Sequence, residues 1–255
     1  MGIVLKIIAI IQARMGSSRL PGKVLTDIEG KTMLERVIER VGASQLVDQI
    51  VVATTNLPED DVLEQILRNK EICDVYRGSV DDVLARFYEC GNLYAAEIVV
   101  RVTADDPLKD SQIIDEALNL LLSNTKLDYC SNTLEPSFPE GLDVEVMRFN
   151  ALERAHFEAK LASEREHVTP YIWKHPNIFD LLNFKFDRDL SDWRWTVDRP
   201  EDLEFMTNIF REFRTNPFIS YQEVINWLEM NPKIRQINTN IIRNEGYLKS
   251  INSEK

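Results

Sequence analysis

Apolar positions follow two different spacings along this chain. Residues 6–11 (KIIAII) and 49–53 (QIVVA) are continuous, β-branched runs, typical of strands that are covered on both faces of a parallel sheet. Between these runs, residues 31–43 place apolar side chains at every third or fourth position, which indicates an amphipathic helix. The first part of the chain therefore alternates strand and helix.

The same alternation continues further along. Further strands are predicted at 73–76, 97–103 (EIVVRVT), 127–131, 141–147, 179–184 and 194–197. Helices are predicted from Pro58 onward, at 80–94 with Ser79 as N-cap, at 111–123, twice within 149–174, and at 200–210 and 221–230. This order predicts an α/β fold with a mostly parallel, doubly wound sheet, in which ligands lie beyond the carboxyl ends of the strands.

Length and composition favour one domain over 1–255. The chain has 255 residues, 44% hydrophobic and 28% charged, and carries no low-complexity tract. The alternation of strand and helix is interrupted at 132–140, so residues 132–190 are expected to form a small β-containing insertion. The last residues are predicted to form a polar tail on the surface. The widely spaced Cys73, Cys90 and Cys130 are interpreted as buried free thiols.

Charge and apolar run length limit the classes of partner. The formal net charge is −12 and the pI is near 4.8, so nucleic acid and anionic membranes would be repelled and the partner should be small. No apolar run approaches the roughly 20 residues that cross a bilayer, and no signal peptide is evident at the N-terminus. The expected location is the cytoplasm.

The loop after the first strand carries the first candidate chemistry. Residues 12–23 read QARMGSSRLPGK and combine small residues with three cations, Arg14, Arg19 and Lys23. Backbone N–H and hydroxyl groups at Gly16 and Ser17 suit phosphate oxygens, and the cations can neutralise a triphosphate. The loop lacks the spacing of a P-loop or of a dinucleotide motif. It is interpreted as a phosphate cradle, against the alternative of a solvated basic loop.

Three motifs carry a resemblance to a known family. IIAIIQARMGSSRLPGK, TADDPL and TVDRPEDLEF occur in that order and together span nearly the whole chain. They resemble the cytidylyltransferase family that contains the CMP-KDO and CMP-sialic acid synthetases, and more closely its spore-coat polysaccharide, SpsF-like branch. The resemblance implies a Rossmann-like nucleotidyltransferase fold, a nucleoside triphosphate substrate that is usually CTP, and Mg2+.

The resemblance also implies a role for individual residues. Asp105 and Asp198, each at a strand end, would bind Mg2+ and act in catalysis with Arg14 and Lys23. The nucleotide-binding set would be Gln12, Ala13, Arg14, Gly16, Ser17, Ser18, Arg19, Lys23, Thr54, Thr55, Asn56, Arg77 and Asp82. The irregular middle segment would supply the acceptor-binding set and a homodimer contact; its candidates are Glu140, Asp143, Glu145, Arg165, Glu166 and His167.

Simpler interpretations stay open for several of these residues. An Asp before Pro at a strand end is also common in turns, and Asp82 and Asp106 suit helix caps. His167 fits a substrate contact, a base or a structural role equally well.

The predicted reaction transfers CMP from CTP to an acidic or aminated sugar and releases pyrophosphate. The alternatives are transfer to a sugar phosphate or another phosphorylated small molecule with CTP or GTP, a GT-A glycosyltransferase, and a non-catalytic nucleotide-binding regulator.

Overall fold

The computed structural model describes residues 5–17, 19–239 and 241–254. Within these ranges the chain forms strands and helices in alternation over its first half. The strands are β1 (Ile7–Gln12), β2 (Asp27–Ile28), β3 (Lys31–Thr32), β4 (Gln49–Thr55), β5 (Asp74–Gly78), β6 (Ile98–Thr103), β7 (Tyr129–Ser131), β8 (Glu145–Arg148) and β9 (Leu181–Asn183). Ser18 lies outside the described residues.

Helices follow most of the strands. They are α1 (Met33–Val41), α2 (Asp61–Lys70), α3 (Val83–Leu93), α4 (Ser111–Ser123), α5 (Phe149–Glu158), α6 (Ala162–His167), α7 (Pro170–Trp173), α8 (Pro200–Glu212), α9 (Tyr221–Met230), α10 (Pro232–Arg235) and α11 (Glu245–Ser253). Short 3-10 turns at Lys23–Leu25 and Pro58–Asp60 lead into the following elements. None of the described helices is long and apolar enough to span a membrane.

Seven strands form one sheet in the order β5-β4-β1-β6-β8-β7-β9. The first four are parallel, β8 runs antiparallel to both of its neighbours, and β7 and β9 are parallel to each other. The predicted mostly parallel sheet is therefore confirmed. Strands β8 and β9, from the predicted insertion, extend the main sheet.

The order of strands creates a crevice between β1 and β6. The chain goes from β1 to β4 and β5 on one side, and then returns to place β6 on the other side of β1. Loops that leave the carboxyl ends of β1 and β6 therefore diverge, which opens a space for ligand at that edge.

Alternate side chains of β1 pack into two hydrophobic cores, one on each face of the sheet. Ile7, Ala9 and Ile11 pack with α1, α4, α8 and α9 on one face of the sheet. Ile8 and Ile10 pack with α3, α5 and α7 on the other face. Burial on both faces explains the continuous apolar run, and it fixes the position of the loop that follows the strand.

Some predicted boundaries are wrong for local reasons. The strand predicted at 141–147 begins only at Glu145, because Gly141 has φ +105 and breaks the extended backbone. The segment 194–197 is no strand; it makes an isolated bridge between Glu140 and Arg194. Helix α3 is capped by Asp82, whose carboxylate accepts from the Ala85 N–H, rather than by Ser79.

Other differences are short elements that periodicity does not resolve. Residues 149–174 form three helices instead of two, because the chain turns at 159–161 and again at 168–169. The helix predicted from residue 31 starts at Met33, after Thr32 has closed a small hairpin and capped the helix. The polar tail contains α10 and α11.

Gly141 is expected to be irreplaceable by alanine. A Cβ at this residue would lie 2.6 to 2.9 Å from backbone atoms of Trp195 and Thr196, and φ is positive. We expect Gly141→Ala to lower the free energy of unfolding by about 2 to 4 kcal/mol, because strain and overlap add. Urea denaturation measures this. Gly246→Ala is the control, since nothing lies within 4 Å of its Cβ; an equal loss in both variants would contradict the explanation.

Candidate active site

The site begins where β1 and β6 end side by side. Gln12 and Thr103, the last residues of the two strands, are paired in register. The chain then continues into the loop 13–22 on one side and into Ala104 and Asp105 on the other. The predicted phosphate loop and the first predicted metal carboxylate therefore start from adjacent positions in the crevice.

Lys23 joins this edge to Asp198. Its Nζ donates to Asp105 Oδ2 at 2.8 Å, to Asp198 Oδ1 at 2.7 Å and to the Val197 carbonyl at 2.9 Å. We call Lys23, Asp105 and Asp198 the carboxylate-lysine cluster. The two carboxylates, 93 positions apart in sequence, thus converge on one cationic group.

Each charged group of this cluster stabilises the ionised form of its partners of opposite charge. Burial disfavours the charged form of Lys23, but attraction by Asp105 and Asp198 raises the lysine pKa above its ordinary value. Burial opposes ionisation of the two aspartates as well, yet Lys23 holds the pKa of both below the ordinary value. All three groups are therefore ionised at neutral pH.

A buried arginine fixes the second aspartate. Arg194 Nη2 lies 3.1 Å from Asp198 Oδ2, Nε lies 2.9 Å from Asp202 Oδ1, and Nη1 lies 2.7 Å from Glu140 Oε2. Asp202, which is fully buried in the first turn of α8, also accepts from the Asp198 and Arg199 N–H groups. Asp198 is thereby held at the N-terminus of α8.

Asp60 anchors the loop from the other side, although no sequence motif singles it out. Its Oδ1 accepts from the Met15 N–H at 2.7 Å, and its Oδ2 accepts from the Thr55 hydroxyl. Asp60 is fully buried. The loop after β1 is thus tied to the end of β4, which leaves Arg14 and Gly16 exposed.

A cavity of about 410 Å³ opens beside the carboxylate-lysine cluster. Asp105 and Asp198 lie in its wall, together with Gln12 and Arg19. Four predicted acceptor residues line the same cavity; they are Glu140, Asp143, Glu145 and His167. The structure therefore brings both predicted metal ligands and four predicted acceptor residues to one space.

Hydrogen bonds and an ion pair hold polar side chains in another part of the cavity wall. Glu145 pairs with Arg101 and accepts hydrogen bonds from Tyr129 and Thr169, both at 2.6 Å. His167 Nε2 lies 3.0 Å from the Ser250 hydroxyl. Burial lowers the pKa of His167 below its ordinary value, so its ring is neutral at pH 7.

The C-terminal segment completes the wall, where the sequence predicted only a surface tail. Asn244, Glu245, Gly246 and Tyr247 line the cavity. Three contacts hold the segment there: Arg243 pairs with Asp143, the Asn244 N–H donates to Glu140 at 2.9 Å, and Glu245 pairs with Arg199 at 2.9 Å. These partners lie about 100 residues or 46 residues away in sequence, so no local pattern could have indicated them.

Two predicted nucleotide-binding residues, Arg77 and Asp82, contact other protein groups and are not among the residues that line this cavity, so their role in nucleotide binding stays a prediction. Arg77 donates to the carbonyl oxygens of Thr55 and Leu57 and pairs with Asp61 at 2.5 Å. Asp82 caps α3 and pairs with Arg165 at 2.5 Å. Arg165, predicted to bind the acceptor, is thus engaged with Asp82 outside the cavity wall.

Two polar atoms at strand ends are buried and unpaired within the described chain. They are Gln12 Oε1, at the end of β1, and Thr54 Oγ1, in β4. Asn56 is exposed just beyond β4. Buried polar atoms without partners are uncommon, and a bound ligand is one way to satisfy them.

The donor set suits a hard cation. Carboxylate oxygens of Asp105 and Asp198 converge with a backbone carbonyl on the Lys23 ammonium, so a positive charge is already accommodated there. Mg2+ is usually bound through one or two carboxylates together with phosphate and water oxygens. Among the described residues no group of three or more His, Cys, Asp or Glu could hold a metal by itself. The two aspartates fit a metal that arrives with a phosphate.

Arg194 is expected to be a main support of the site. Replacement by Met would leave the buried Glu140 and Asp202 without the cation that they share with Asp198, so we expect a loss of about 3 to 5 kcal/mol in the free energy of unfolding. Urea denaturation measures it. Arg188→Met is the control, because Arg188 pairs with Glu229 on the surface and should lose less than about 1 kcal/mol. Similar losses in both variants would refute this role.

Comparison with known proteins agrees with the geometry. The family model described as "Cytidylyltransferase" matches residues 8–236. The spore coat polysaccharide biosynthesis protein SpsF of Bacillus subtilis is 32% identical over 233 residues, which cover 89% of this chain and 95% of SpsF. The 3-deoxy-manno-octulosonate cytidylyltransferase of Geobacter sulfurreducens is 38% identical over 128 residues, 47% of each chain.

A solved structure extends the similarity to the three-dimensional fold. A cytidylyltransferase from Leptospira borgpetersenii superposes with a TM-score of 0.88 at 34% identity, covering 94% of this chain and all of the other. The region that the family model matches contains the ends of β1 and β6, the loop between residues 12 and 23, and both aspartates of the carboxylate-lysine cluster. The protein belongs to the cytidylyltransferase family.

Proposed function

We propose that this cytidylyltransferase transfers CMP from CTP to a small sugar acceptor and releases pyrophosphate, in the synthesis of a surface polysaccharide or glycoconjugate. Membership of the cytidylyltransferase family supports cytidylyl transfer, and the similarity to the spore coat polysaccharide biosynthesis protein SpsF supports the polysaccharide context. The observation that carries the proposal is the position of the carboxylate-lysine cluster, which joins the loop after β1 to the acceptor cavity.

The nucleotide side is proposed to be built by the loop after β1. Arg14, Gly16 and Ser17 follow a strand that is buried on both faces, so their backbone is well positioned for phosphates. Arg19 lies 2.7 Å from Asp198, at the boundary between loop and cavity. A triphosphate that bridges from the loop to this boundary would place its α-phosphorus next to the cavity, where these cations offset its charge.

Asp105 and Asp198 are proposed to hold Mg2+, with Lys23 shifting to a phosphate oxygen when substrate enters. The metal, when bound, would neutralise charge on the α-phosphate and on the leaving pyrophosphate. The Lys23 ammonium lies between Asp105 and Asp198, so a phosphate oxygen bound beside these carboxylates would be within its reach. The loop and the two strand ends would thus position the triphosphate, which is the main catalytic contribution of the protein.

The transfer is an in-line displacement. A hydroxyl oxygen of the acceptor bonds to the α-phosphorus, the bond from that phosphorus to the bridging oxygen breaks, and pyrophosphate leaves with the electron pair. The hydroxyl proton passes to His167, which is neutral and lines the cavity, or to water. Glu140, Asp143 and Glu145 would hold the acceptor hydroxyls.

Pyrophosphate release separates this proposal from the alternatives. The protein is incubated with Mg2+, each of the four ribonucleoside triphosphates and a panel of sugars and sugar phosphates. We expect release with CTP and an unphosphorylated sugar. Pyrophosphate release only with GTP or with a sugar phosphate would favour the alternative nucleotidyltransferase. Liberation of a nucleoside diphosphate from a nucleotide sugar would indicate a glycosyltransferase. No product at all would indicate a nucleotide-binding protein.

Asp198→Asn is expected to reduce kcat by about 100-fold or more, because it removes one anionic ligand from a charge-stabilised transition state. The volume of the side chain is unchanged, so circular dichroism should show a native fold. Asp189→Asn is the control, since Asp189 is exposed and bonds only to Ser191 among the described side chains. Full activity in Asp198→Asn would remove this residue from the site.

A homodimer is also proposed, paired through the subregion 132–190 as the family resemblance implies. Phe157 and Leu161 expose large apolar side chains on that subregion, 68% and 47% respectively, and Phe157 packs edge-on against His156. Light scattering is expected to give twice the mass of one chain, and Phe157→Glu should reduce it to one. A monomer in the unaltered protein would exclude the dimer.

A further inference from the structure

Four arginines are buried in the described part of the chain, and three of them have several partners. Arg194 pairs with three carboxylates. Arg36 and Arg40 each donate three hydrogen bonds to backbone carbonyl oxygens. Arg86, which is only 2% exposed, is the exception.

The Arg86 side chain donates a single hydrogen bond and has no ion pair within the described chain. It lies on α3, and its Nη1 donates to the Ser79 carbonyl oxygen at 2.8 Å. Its Nε is buried and has no hydrogen-bond partner among the described residues. Burial of a charge without a partner is costly, so this guanidinium indicates a partner that arrives from outside the chain.

The surroundings of Arg86 do not neutralise its charge. Burial, and after it the charge of Arg14, lower the pKa of Arg86 to about 10, so the guanidinium is still protonated at pH 7. Asp60 attracts it, but the two carboxylate oxygens of Asp60 accept from the Met15 N–H and the Thr55 hydroxyl. The negative charge of Asp60 is thus used to hold the loop after β1.

Arg86 lies at the edge of the sheet where the nucleotide-binding residues are predicted. A Cβ on Gly78, the last residue of β5, would lie 3.0 Å from Arg86 Cγ. Gly78 pairs with Thr55 at the end of β4, and β4 adjoins β1, from which the loop with Arg14 leaves. Arg14 is exposed and has no hydrogen-bond or ion-pair partner for its side chain in the described chain. In open parallel sheets ligands bind beyond these strand ends, so both guanidinium groups lie beside the same ligand space.

We infer that Arg86 binds the phosphate chain of the nucleotide together with Arg14. Two neighbouring cations that repel each other favour an anion beside them, and a guanidinium can donate two parallel hydrogen bonds to phosphate oxygens. This inference rests on the proposed function for the identity of the ligand, a nucleoside triphosphate. Arg86 gains its missing partner only when the phosphates are bound.

Stability distinguishes a ligand-binding arginine from a structural one. A structural guanidinium stabilises the folded chain through its hydrogen bonds, so its removal lowers stability. A buried charge that is paired only in the complex destabilises the free protein. Its replacement by an apolar side chain of similar length is then neutral or stabilising, at the expense of ligand binding.

The test measures binding and stability in matched variants. Arg86→Met removes both the charge and the planar fork of donors, whereas Arg86→Lys keeps a charge alone. Arg36→Met is the control, because Arg36 is also buried in a helix but bonds to carbonyl oxygens of the chain itself. Titration calorimetry with sodium tripolyphosphate, CTP and cytidine, each with Mg2+, gives the affinities. Urea denaturation without ligand gives the midpoint of unfolding.

We expect Arg86→Met to weaken the binding of tripolyphosphate and of CTP at least about tenfold, the factor that about 1.4 kcal/mol provides. Its urea midpoint should equal or exceed that of the unaltered protein. Arg86→Lys should lose less affinity than Arg86→Met, because a positive charge remains. Arg36→Met should lower the urea midpoint and leave both affinities unchanged, because it removes three hydrogen bonds to the Ile28 and Glu29 carbonyls.

The inference fails if phosphate binding does not depend on Arg86. A loss of tripolyphosphate affinity smaller than tenfold in Arg86→Met, or no detectable binding to the unaltered protein at about 10 mM, would overturn it. Weaker binding of cytidine with unchanged binding of tripolyphosphate would assign Arg86 to the nucleoside instead. A lower urea midpoint for Arg86→Met, or failure of this variant to fold, would make Arg86 a structural residue.

Pyrophosphate release separates the inference from the proposed function. Binding of tripolyphosphate that depends on Arg86, without CMP transfer to any sugar, would keep the inference and reject the proposed function. CMP transfer by an Arg86→Met variant with unchanged affinity for CTP would keep the proposed function and reject the inference.

Discussion

The ammonium of Lys23 between Asp105 and Asp198 is the contact that organises this protein. It ties together a loop, a strand end and a helix start that are far apart in sequence, and it places them at the crevice where the strand order reverses. Two partly buried carboxylates this close would repel each other without a cation. The same requirement makes the position suitable for a metal ion that accompanies a phosphate.

Around this contact, the ion pairs form one connected system. Arg194 links Asp198 to Glu140 and Asp202, and Glu140 in turn accepts from the backbone of Asn244. The C-terminal segment is therefore part of the cavity wall and depends on the same charges as the proposed metal site. Since these carboxylates are matched by cations, the loss of any one partner would leave an uncompensated charge in the wall.

The sequence predicted the fold, and it predicted that polar residues would meet at one edge of the sheet, because both have local signals. Buried parallel strands are continuous apolar runs, and the polar residues that follow them, such as Asp105, must meet at one edge of the sheet. The outer parts had no such signal. The ion pairs of Arg77 with Asp61 and of Arg165 with Asp82 are examples, and ligand binding by either arginine stays a prediction. Asp60, Arg194 and the C-terminal wall depend on long-range contacts that only the folded chain reveals.

The proposed mechanism depends most directly on where a divalent ion and the triphosphate meet. A crystal structure with CTP and Mn2+, a metal that replaces Mg2+ at oxygen ligands and can be located by its anomalous scattering, would show this. We predict one anomalous peak within coordination distance of both Asp105 and Asp198, with the α-phosphate beside it and Lys23 on a phosphate oxygen. A peak bound elsewhere, with CTP away from the cavity and Lys23 still between the two carboxylates, would contradict the account.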